Sequence, residues 1–475
     1  MFQVFLVGIN FVSMLVLVRL LPPSEYGRAT AATGIMAVVN CFNCSYFIAQ
    51  ALQLHEGEEP DWAAHWSAGF YIQFALFVIC NALALLCWFL PPYRPIAGLL
   101  SVASVGLLLD CPNQLSLIRL KRKLDYRSLR LIEATCALVT LVSSLSLAFW
   151  GAGAFALIIG SNVLHGMPQG AYLLFVQKWR PPSGWWHWPV WKGYTGPLRF
   201  GAQLSGSALL TATRGVIEAT VLPATLGYEA VGLLNRAQVL FSTTVGRVAT
   251  VVVETVYPLL PRSAGDPEQF SRHATLFAHT MFFASIPGAV FVGIEGPALS
   301  RLLYGAKWIG ADPLILPGTV FAWAVSAVMI FATVLQARSR MRLVFISSLI
   351  AVSACLPATV VALIGGSVLH YSWTLALGQI VAAYVAARLA SGLLQPLWVR
   401  QRIVPLVFAA AAGACALLLF DRTLAGMHVW AKLPLDAALF ALVTSGVLRC
   451  FFAAMLQDIV QRLPAGGILS KLFRL

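Results

Sequence analysis

The chain has 475 residues, of which 59% are hydrophobic and only 11% are charged, with a formal net charge of +14. Ordinary soluble proteins contain about 45–50% apolar and about 25% charged residues, so this chain has too few charges to cover a surface in water. The composition excludes a cytosolic enzyme, a disordered regulator and a secreted disulfide scaffold. It predicts an all-α polytopic membrane protein.

Apolar runs long enough to cross a bilayer recur along the whole chain, since a membrane-spanning helix needs about 20 such residues. They predict about 14 transmembrane helices, spans 1 to 14. In chain order the spans cover residues 2–21, 29–52, 67–90, 96–118, 131–150, 152–176, 200–222, 232–258, 274–299, 312–337, 343–365, 368–396, 403–420 and 433–456. The connections are short, and the longest covers residues 177–199.

Basic residues are divided unequally between the two sides of this arrangement. With the N-terminus in the cytoplasm, 20 of the 32 Lys and Arg residues fall on the cytoplasmic side, 7 on the opposite side and 5 within spans. Cytoplasmic loops of membrane proteins carry an excess of Lys and Arg, so the distribution predicts that both termini are cytoplasmic. The positive charge is therefore interpreted as a topology signal, and no nucleic-acid partner is expected.

Two junctions between helices resemble each other at an offset of about 205 residues. RLLPPSEYGRA begins at Arg19 and LPATLGYEAVGLLNRA begins at Leu222, and both place Pro, Glu and Gly between two helices. Many transporters are built from repeated halves, so we predict two six-helix lobes related by pseudo-twofold symmetry. The predicted divisions are an N-lobe at 1–176, a cytoplasmic Trp-rich linker at 177–199, a C-lobe at 200–402, and two further helices with a cytoplasmic tail at 403–475.

Five short motifs recur along the chain: LLPPSEYG at 20–27, LRFG at 198–201, the junction from Glu218 to Ala237, LYGAKW at 303–308 and LQAR at 335–338. In order and spacing they resemble those of the Wzx-type flippases for lipid-linked oligosaccharides, within the multidrug/oligosaccharidyl-lipid/polysaccharide superfamily. Two positions depart from the family pattern: Glu218 stands where Asp is usual, and Leu234 stands where Tyr is usual.

The resemblance implies a flippase rather than an enzyme. Such a protein moves polyprenyl-diphosphate-linked oligosaccharide repeat units from the cytoplasmic to the periplasmic face of the bacterial inner membrane by alternating access. The product feeds exopolysaccharide, O-antigen or capsule synthesis, and the implied partners are membrane lipids and a polysaccharide polymerase. The sequence has no GxxxxGK[ST] nucleotide-binding run, so we expect no cofactor and an energy supply from an H⁺ or Na⁺ gradient or the membrane potential.

Several predicted spans carry polar residues on one face. In span 8, Arg236, Thr243, Arg247, Thr250 and Glu254 fall on a narrow stripe at about 3.6 residues per turn. An ionisable side chain at mid-span costs about 2.5–3.5 kcal/mol, so such a stripe indicates an aqueous surface. Spans 2, 4, 7 and 8 are therefore predicted to line a polar central cavity. The polar residues of spans 2, 4 and 7 are Asn40, Asn43, Gln50, Asp110, Asn113, Gln114, Gln203, Ser207, Arg214 and Glu218.

Arginine suits a lipid diphosphate because its guanidinium donates paired hydrogen bonds and stays charged when buried. Arg214, Arg236 and Arg247 are therefore predicted to bind the headgroup. The alternative is that they pair with Glu218, Glu254 or backbone groups and only join helices. The full set of predicted substrate-binding residues is Arg247, Arg214, Arg236, Thr243, Gln203 and Asn40.

Acidic residues in the spans are candidates for ion coupling. Asp110, Glu218 and Glu254 are predicted to carry a coupling proton or cation, since a buried carboxyl group without a cationic partner suits proton exchange. Arg214 lies one turn from Glu218, which favours pairing there, whereas Asp110 has no arginine one turn away. Asp110 is therefore the preferred candidate. The His and Cys residues show no metal-ligand spacing, so we predict no metal site and no catalytic residue.

The linker at 177–199 is rich in tryptophan, a residue that prefers the headgroup level of a bilayer. An interfacial linker is the favoured interpretation, and a platform on which sugars stack is the alternative. Its tryptophans are Trp179, Trp185, Trp186, Trp188 and Trp191.

Two other functions fit the composition. One is a cation-coupled multidrug exporter of the same superfamily, although such exporters usually have twelve spans and depend on cavity carboxylates. The other is a membrane polysaccharide polymerase or ligase, which generally needs a large outward loop. The longest predicted outward loop covers only residues 421–432, so the flippase is preferred.

Overall fold

The structure, a computed structural model, describes residues 2–54, 58–181, 183–246, 259–263, 265–424 and 427–462. In these residues all regular secondary structure is helical, which confirms the predicted all-α membrane architecture. By its internal contacts the chain divides into two compact units, Met1–Gly232 and Leu233–Leu475.

The first unit contains nine helices and the start of a tenth in the part of the chain that the structure describes. They are α1 (Phe2–Leu20), α2 (Pro23–Asn40), α3 (Cys44–Ile48), α4 (Trp62–Phe89), α5 (Arg94–Arg122), α6 (Tyr126–Phe149), α7 (Ala154–Ile158), α8 (Met167–Ala171), α9 (Thr195–Thr225) and α10 (Gly227–Thr244). The π-helical segments Ile159–Leu164 and Tyr172–Val176 flank α8.

Side-chain caps fix where three of these helices begin. The side chain of Asp61 accepts a hydrogen bond from the Ala64 amide at 2.9 Å at the start of α4, and that of Asp125 caps α6 in the same way. Asn43 caps α3, so the predicted continuous span 2 is interrupted between α2 and α3. A cap of this kind satisfies an amide that the first helical turn leaves without a partner.

Arg122, at the end of α5, holds the chain segment that follows α3. Its guanidinium donates to the carbonyl oxygen of Ala51 at 2.5 Å and to that of Leu54 at 3.3 Å. It also donates to the carbonyl oxygen of Glu58. One cation therefore satisfies three backbone acceptors in the connection between α3 and α4.

Helix α2 lies directly against α9 and the start of α10. A Cβ atom on Gly27 would lie 1.7 Å from the Tyr228 carbonyl oxygen, and one on Gly232 would lie 2.0 Å from the Pro23 carbonyl oxygen. Only glycine allows so close an approach of two backbones. The two junctions that resemble each other in sequence are thus in contact, and predicted span 7 packs within the first unit.

The second unit contains the remaining helices that the structure describes. They are α11 (Leu259–Arg262), α12 (Pro267–Tyr304), α13 (Asp312–Ala337), α14 (Met341–Ser353), α15 (Leu356–Leu363), α16 (Val368–Ala390), α17 (Val404–Leu424) and α18 (Val429–Arg462). Phe270, Phe277 and Phe331 are buried in its core, where α13 packs on α16 and α17 packs on α18.

Ten helices in the described residues are long and apolar enough to cross a membrane. Predicted spans 1, 6, 7 and 8 are not among them. Span 1 contains a shorter apolar helix at Gly8–Leu20, and π-helical segments divide span 6. Helix α9 and the described part of span 8 carry the polar residues that lower their hydropathy. The number of 14 spans, the pseudo-twofold symmetry and the lobe boundaries remain predictions.

Candidate functional site

The preferred coupling residue, Asp110, lies on α5 and has a neutral partner. Asn43 Nδ2 donates to Asp110 Oδ2 at 2.6 Å, while Asn43 Oδ1 accepts from the Ser45 amide at 2.9 Å. The break between α2 and α3 thus positions the amide that holds the carboxylate. In the described residues Asp110 forms no ion pair, so its charge is met only by a neutral amide in an apolar span.

Cys41 and Cys44, which lie three residues apart beside this pair, do not form a joint site. Cys41 Sγ donates to the Ala37 carbonyl oxygen at 3.1 Å, whereas Cys44 Sγ accepts from Gln73 Nε2 at 3.2 Å. Both thiols are buried and free. Their contacts lie within α2 and between α3 and α4, as expected for structural residues.

Arg214 and Glu218 form an ion pair along α9. Arg214 Nη1 lies 3.4 Å from Glu218 Oε1, and the two side chains are 32% and 18% exposed. The structure therefore brings these two residues together in the i,i+4 pair that the alternative interpretation anticipated. Because the guanidinium is one-third exposed, an anionic group can still approach it and compete with Glu218.

Two other residues of the predicted substrate site, Gln203 and Asn40, lie in the first unit. Gln203 is exposed on α9, and Asn40 is half-buried at the last residue of α2. The structure does not join either of them to Arg214 by a hydrogen bond. The central cavity that would contain all of them remains a prediction.

The predicted residues of span 8 lie in the second unit or beyond the described positions. Arg236 Nη2 donates to Asn235 Oδ1 at 2.8 Å, and Thr243 Oγ1 donates to the Val239 carbonyl oxygen at 2.5 Å. Such a threonine bond to the preceding turn satisfies the hydroxyl within its own helix. Arg247, Thr250 and Glu254 lie outside the described residues.

A charged cluster in the second unit was missed by sequence reasoning. Glu295 on α12 and Asp436 on α18 are 8% and 1% exposed, and Asp436 Oδ2 has no hydrogen-bond partner in the part of the chain described. Lys432 pairs with Asp421 and acts electrostatically on both buried carboxylates. One ammonium thus interacts electrostatically with three carboxylates. Nothing in the sequence indicated that these charges lie close together, because α12 and α18 are distant in the chain.

The Trp-rich linker is attached to α4 and α5 by contacts that the sequence did not reveal. The Arg119 guanidinium lies over the Trp179 ring at 4.7 Å and the Trp62 ring at 5.7 Å. The buried Tyr194 hydroxyl and His65 Nδ1 are 2.8 Å apart. Cation–π and hydrogen-bond contacts of this kind hold the linker against the helices.

The whole fold is similar to solved membrane transporters. It matches a structure described as the lipid II flippase MurJ in an inward closed conformation, with a TM-score of 0.74 at 12% identity, covering 96% of this chain and 98% of that one. It also matches an inward-facing multidrug resistance MATE family transporter of the MOP superfamily, with a TM-score of 0.57 at 14% identity, covering 81% of this chain and 94% of that one. The chain therefore shares the fold of these two proteins.

A comparison of the sequence with models of protein families identifies the family of this chain. The model of a family described as polysaccharide biosynthesis protein matches residues 16–313, which is more than half of the chain. The chain belongs to this family of polysaccharide biosynthesis proteins. A search of curated protein sequences finds no match. The resemblance to a polysaccharide biosynthesis family that the sequence motifs indicated is thereby confirmed.

Proposed function

We propose that this protein is a flippase that moves polyprenyl-diphosphate-linked oligosaccharides from the cytoplasmic to the periplasmic face of a bacterial inner membrane. The observation that carries the proposal is the nearly complete overlap of its fold with that of a lipid II flippase. Membership of a polysaccharide biosynthesis family supports a saccharide as the cargo. The distribution of basic residues supports cytoplasmic termini.

The Arg214–Glu218 pair supplies a chemical basis for headgroup binding. In the resting protein the carboxylate satisfies the guanidinium, so the cation is stable within a membrane helix. A diphosphate offers more acceptor oxygens and more negative charge than Glu218, and it would displace that carboxylate from Arg214. The partial exposure of Arg214 supports such an exchange. Release of the substrate would restore the ion pair.

Asp110 supplies a basis for coupling to a proton gradient. As a carboxylate it accepts the hydrogen bond from Asn43, and protonation of the accepting oxygen would turn that acceptor into a donor. Because Asn43 also caps α3, the change would act on the break between α2 and α3. Transport would then be driven by the ion gradient, with no resident cofactor.

Reconstitution into proteoliposomes tests the function directly. A polyprenyl-diphosphate hexose with a fluorescent sugar label is added to both leaflets, and translocation is measured by quenching of the outer leaflet with dithionite. We expect wild-type protein to translocate the lipid and Arg214→Ala to reduce the rate by at least tenfold, as loss of a charged hydrogen bond of about 1.5–3 kcal/mol implies.

Arg272→Ala is the matched control. Arg272 also pairs with a glutamate one turn away, Glu268, but at 3.9 Å on an exposed surface of the second unit. This variant should translocate at the wild-type rate. Absence of translocation by correctly folded wild-type protein would reject the proposed function, whereas equal rates for both variants would reject only the role of Arg214.

Export of drugs is the second candidate function, because the fold also overlaps that of a multidrug transporter. The chain extends well beyond the part that this match covers, which favours the flippase. Expression in a drug-sensitive strain separates the two. Increased resistance to cationic drugs without translocation of the labelled lipid would favour the exporter.

A further inference from the structure

A concave pocket of about 300 Å³ lies between the first turns of α4 and the Trp-rich linker. Its polar and aromatic lining includes Asp61, Ser67, Trp185, His187, Trp188 and Tyr194. The volume is at the lower end of the about 300–1,000 Å³ typical of small-molecule sites. All of these residues belong to the first unit.

The linker wall of the pocket is held in a defined position. Tyr71 on α4 donates its hydroxyl to the Trp186 carbonyl oxygen at 2.6 Å. The Trp185 ring packs edge-on against Phe70 at 4.7 Å with an interplanar angle of 85°. These contacts go beyond the interfacial interpretation of the linker, which requires only that its indole rings lie at the headgroup level of the bilayer. The wall is therefore preorganised, which lowers the entropic cost of binding a ligand.

The charge of the lining disfavours phosphate as the ligand. Asp61 is the only acidic residue among the lining residues, and no Lys or Arg is among them. One Asp61 oxygen accepts from the Ala64 amide, and the other accepts no hydrogen bond in the described part of the chain. A free carboxylate oxygen repels an anion but accepts hydrogen bonds from neutral hydroxyl groups.

The combination of groups matches the chemistry of a pyranose ring. Sugars present apolar C–H faces, which pack on indole rings, and an edge of hydroxyl groups that need polar partners. Trp188 is 70% exposed and supplies an available ring, while Asp61 and Ser67 lie on the first turns of α4 nearby. An ammonium group of a lipid would also meet a carboxylate and indole rings, so competition by choline is one outcome of the test below.

We propose that this pocket binds one sugar ring of the lipid-linked saccharide on the side of the membrane that the charge distribution assigns to the cytoplasm. The assignment rests on the proposed function for the identity of the lipid carrier. Tyr194 lies in the pocket wall and leads directly into α9, the helix that carries Arg214. The proposed sugar site thus adjoins the start of the helix that carries the proposed headgroup site.

Binding to the full-length protein in nanodiscs tests the pocket. The probes are polyprenyl diphosphates bearing glucose, galactose, mannose or N-acetylglucosamine, and the same lipid without sugar. We expect wild type to bind at least one sugar-bearing lipid more tightly than the sugar-free lipid. Trp188→Ala should lower the affinity for the sugar-bearing lipid by about tenfold, as loss of one aromatic contact implies. Its affinity for the sugar-free lipid should be unchanged.

Trp186→Ala is the matched control, because Trp186 is also exposed and in the linker but its side chain does not line the pocket. It should bind both lipids as wild type does. Equal affinity of Trp188→Ala and wild type for every probe would overturn the proposal, as would equal weakening of sugar-bearing and sugar-free lipids. Displacement by choline but by no free hexose would overturn it in favour of an ammonium site.

These outcomes separate the pocket from the proposed function. Wild-type protein that binds no polyprenyl diphosphate, with or without sugar, contradicts the proposed function. Wild-type protein that binds and translocates the lipids while Trp188→Ala remains indistinguishable from it contradicts the pocket alone.

Discussion

Gly27 on α2 and Gly232 on α10 lie backbone to backbone. A Cβ atom on Gly27 would be 3.0 Å from the Gly232 nitrogen, and a Cβ atom on Gly232 would be 3.1 Å from the Gly27 nitrogen. The nearest obstacles are carbonyl oxygens rather than flexible side chains. Neither helix can therefore accept a methyl group without a shift of its backbone.

Gly27→Ala should reduce stability by about 1–3 kcal/mol or more, since overpacking at a backbone contact cannot be relieved by a rotamer change. The thermal unfolding temperature of the detergent-solubilised protein measures this effect. Gly206→Ala on α9 is the control, because nothing lies within 4 Å of its added Cβ. The unfolding temperature of this control should equal or exceed that of the wild type, since alanine favours a helix more than glycine does. Equal temperatures for both variants would contradict the close contact.

Asp110→Asn should remove the dependence of transport on a pH gradient. Asparagine keeps the shape of the side chain and an oxygen that accepts from Asn43, but it cannot exchange a proton. Translocation by proteoliposomes with and without an imposed gradient measures the change. Asp125→Asn is the control, because asparagine is an equally good helix cap at that half-buried position. A full response of Asp110→Asn to the gradient would exclude Asp110 as the coupling residue.

The charged cluster of the second unit predicts opposite effects for two substitutions. Lys432→Met should lower stability by about 1–3 kcal/mol, less than the about 3–5 kcal/mol of a fully buried pair, because Asp421 is 57% exposed. Asp436→Asn should keep or raise stability, since it removes a buried charge that lacks a hydrogen-bond partner at one oxygen. Thermal unfolding tests both. If Asp436→Asn lowered stability as much as Lys432→Met does, the conclusion that this cluster carries an excess of negative charge would be wrong.

Arg119→Lys should loosen the Trp-rich linker while preserving the charge. A lysine lacks the planar guanidinium that stacks on Trp62 and Trp179, so about 1–2 kcal/mol of contact is lost. Trypsin cleavage within 177–199, which contains Lys178, should become several-fold faster. Arg127→Lys, on the exposed start of α6, is the control and should leave the rate unchanged. Identical rates for the two variants would exclude Arg119 as an anchor of the linker.

The sequence was informative where structure depends on composition and on neighbours in one helix. The scarcity of charges predicted the membrane fold, because a bilayer cannot solvate them. The spacing of Arg214 and Glu218 predicted the possibility of an ion pair, since residues four apart share a helix face. The first inference uses composition alone, and the second uses a spacing that is visible in a single segment.

Contacts between distant segments were beyond the reach of the sequence. Asn43 and Asp110 are 67 residues apart, and their hydrogen bond depends on how α3 packs against α5. The break that positions Asn43 also lies inside an apolar run that predicts one continuous helix. Glu295 and Asp436 were missed for the same reason, because only the packing of α12 with α18 brings the two carboxylates together.

The three carbonyl oxygens held by Arg122 have a consequence for biogenesis. The ribosome makes Ala51, Leu54 and Glu58 before Arg122, so this clamp forms only after α4 and α5 have been inserted. If α5 entered in the opposite orientation, about 30 Å of hydrocarbon would separate the guanidinium from its acceptors. The clamp thus closes only on a correctly inserted helical hairpin.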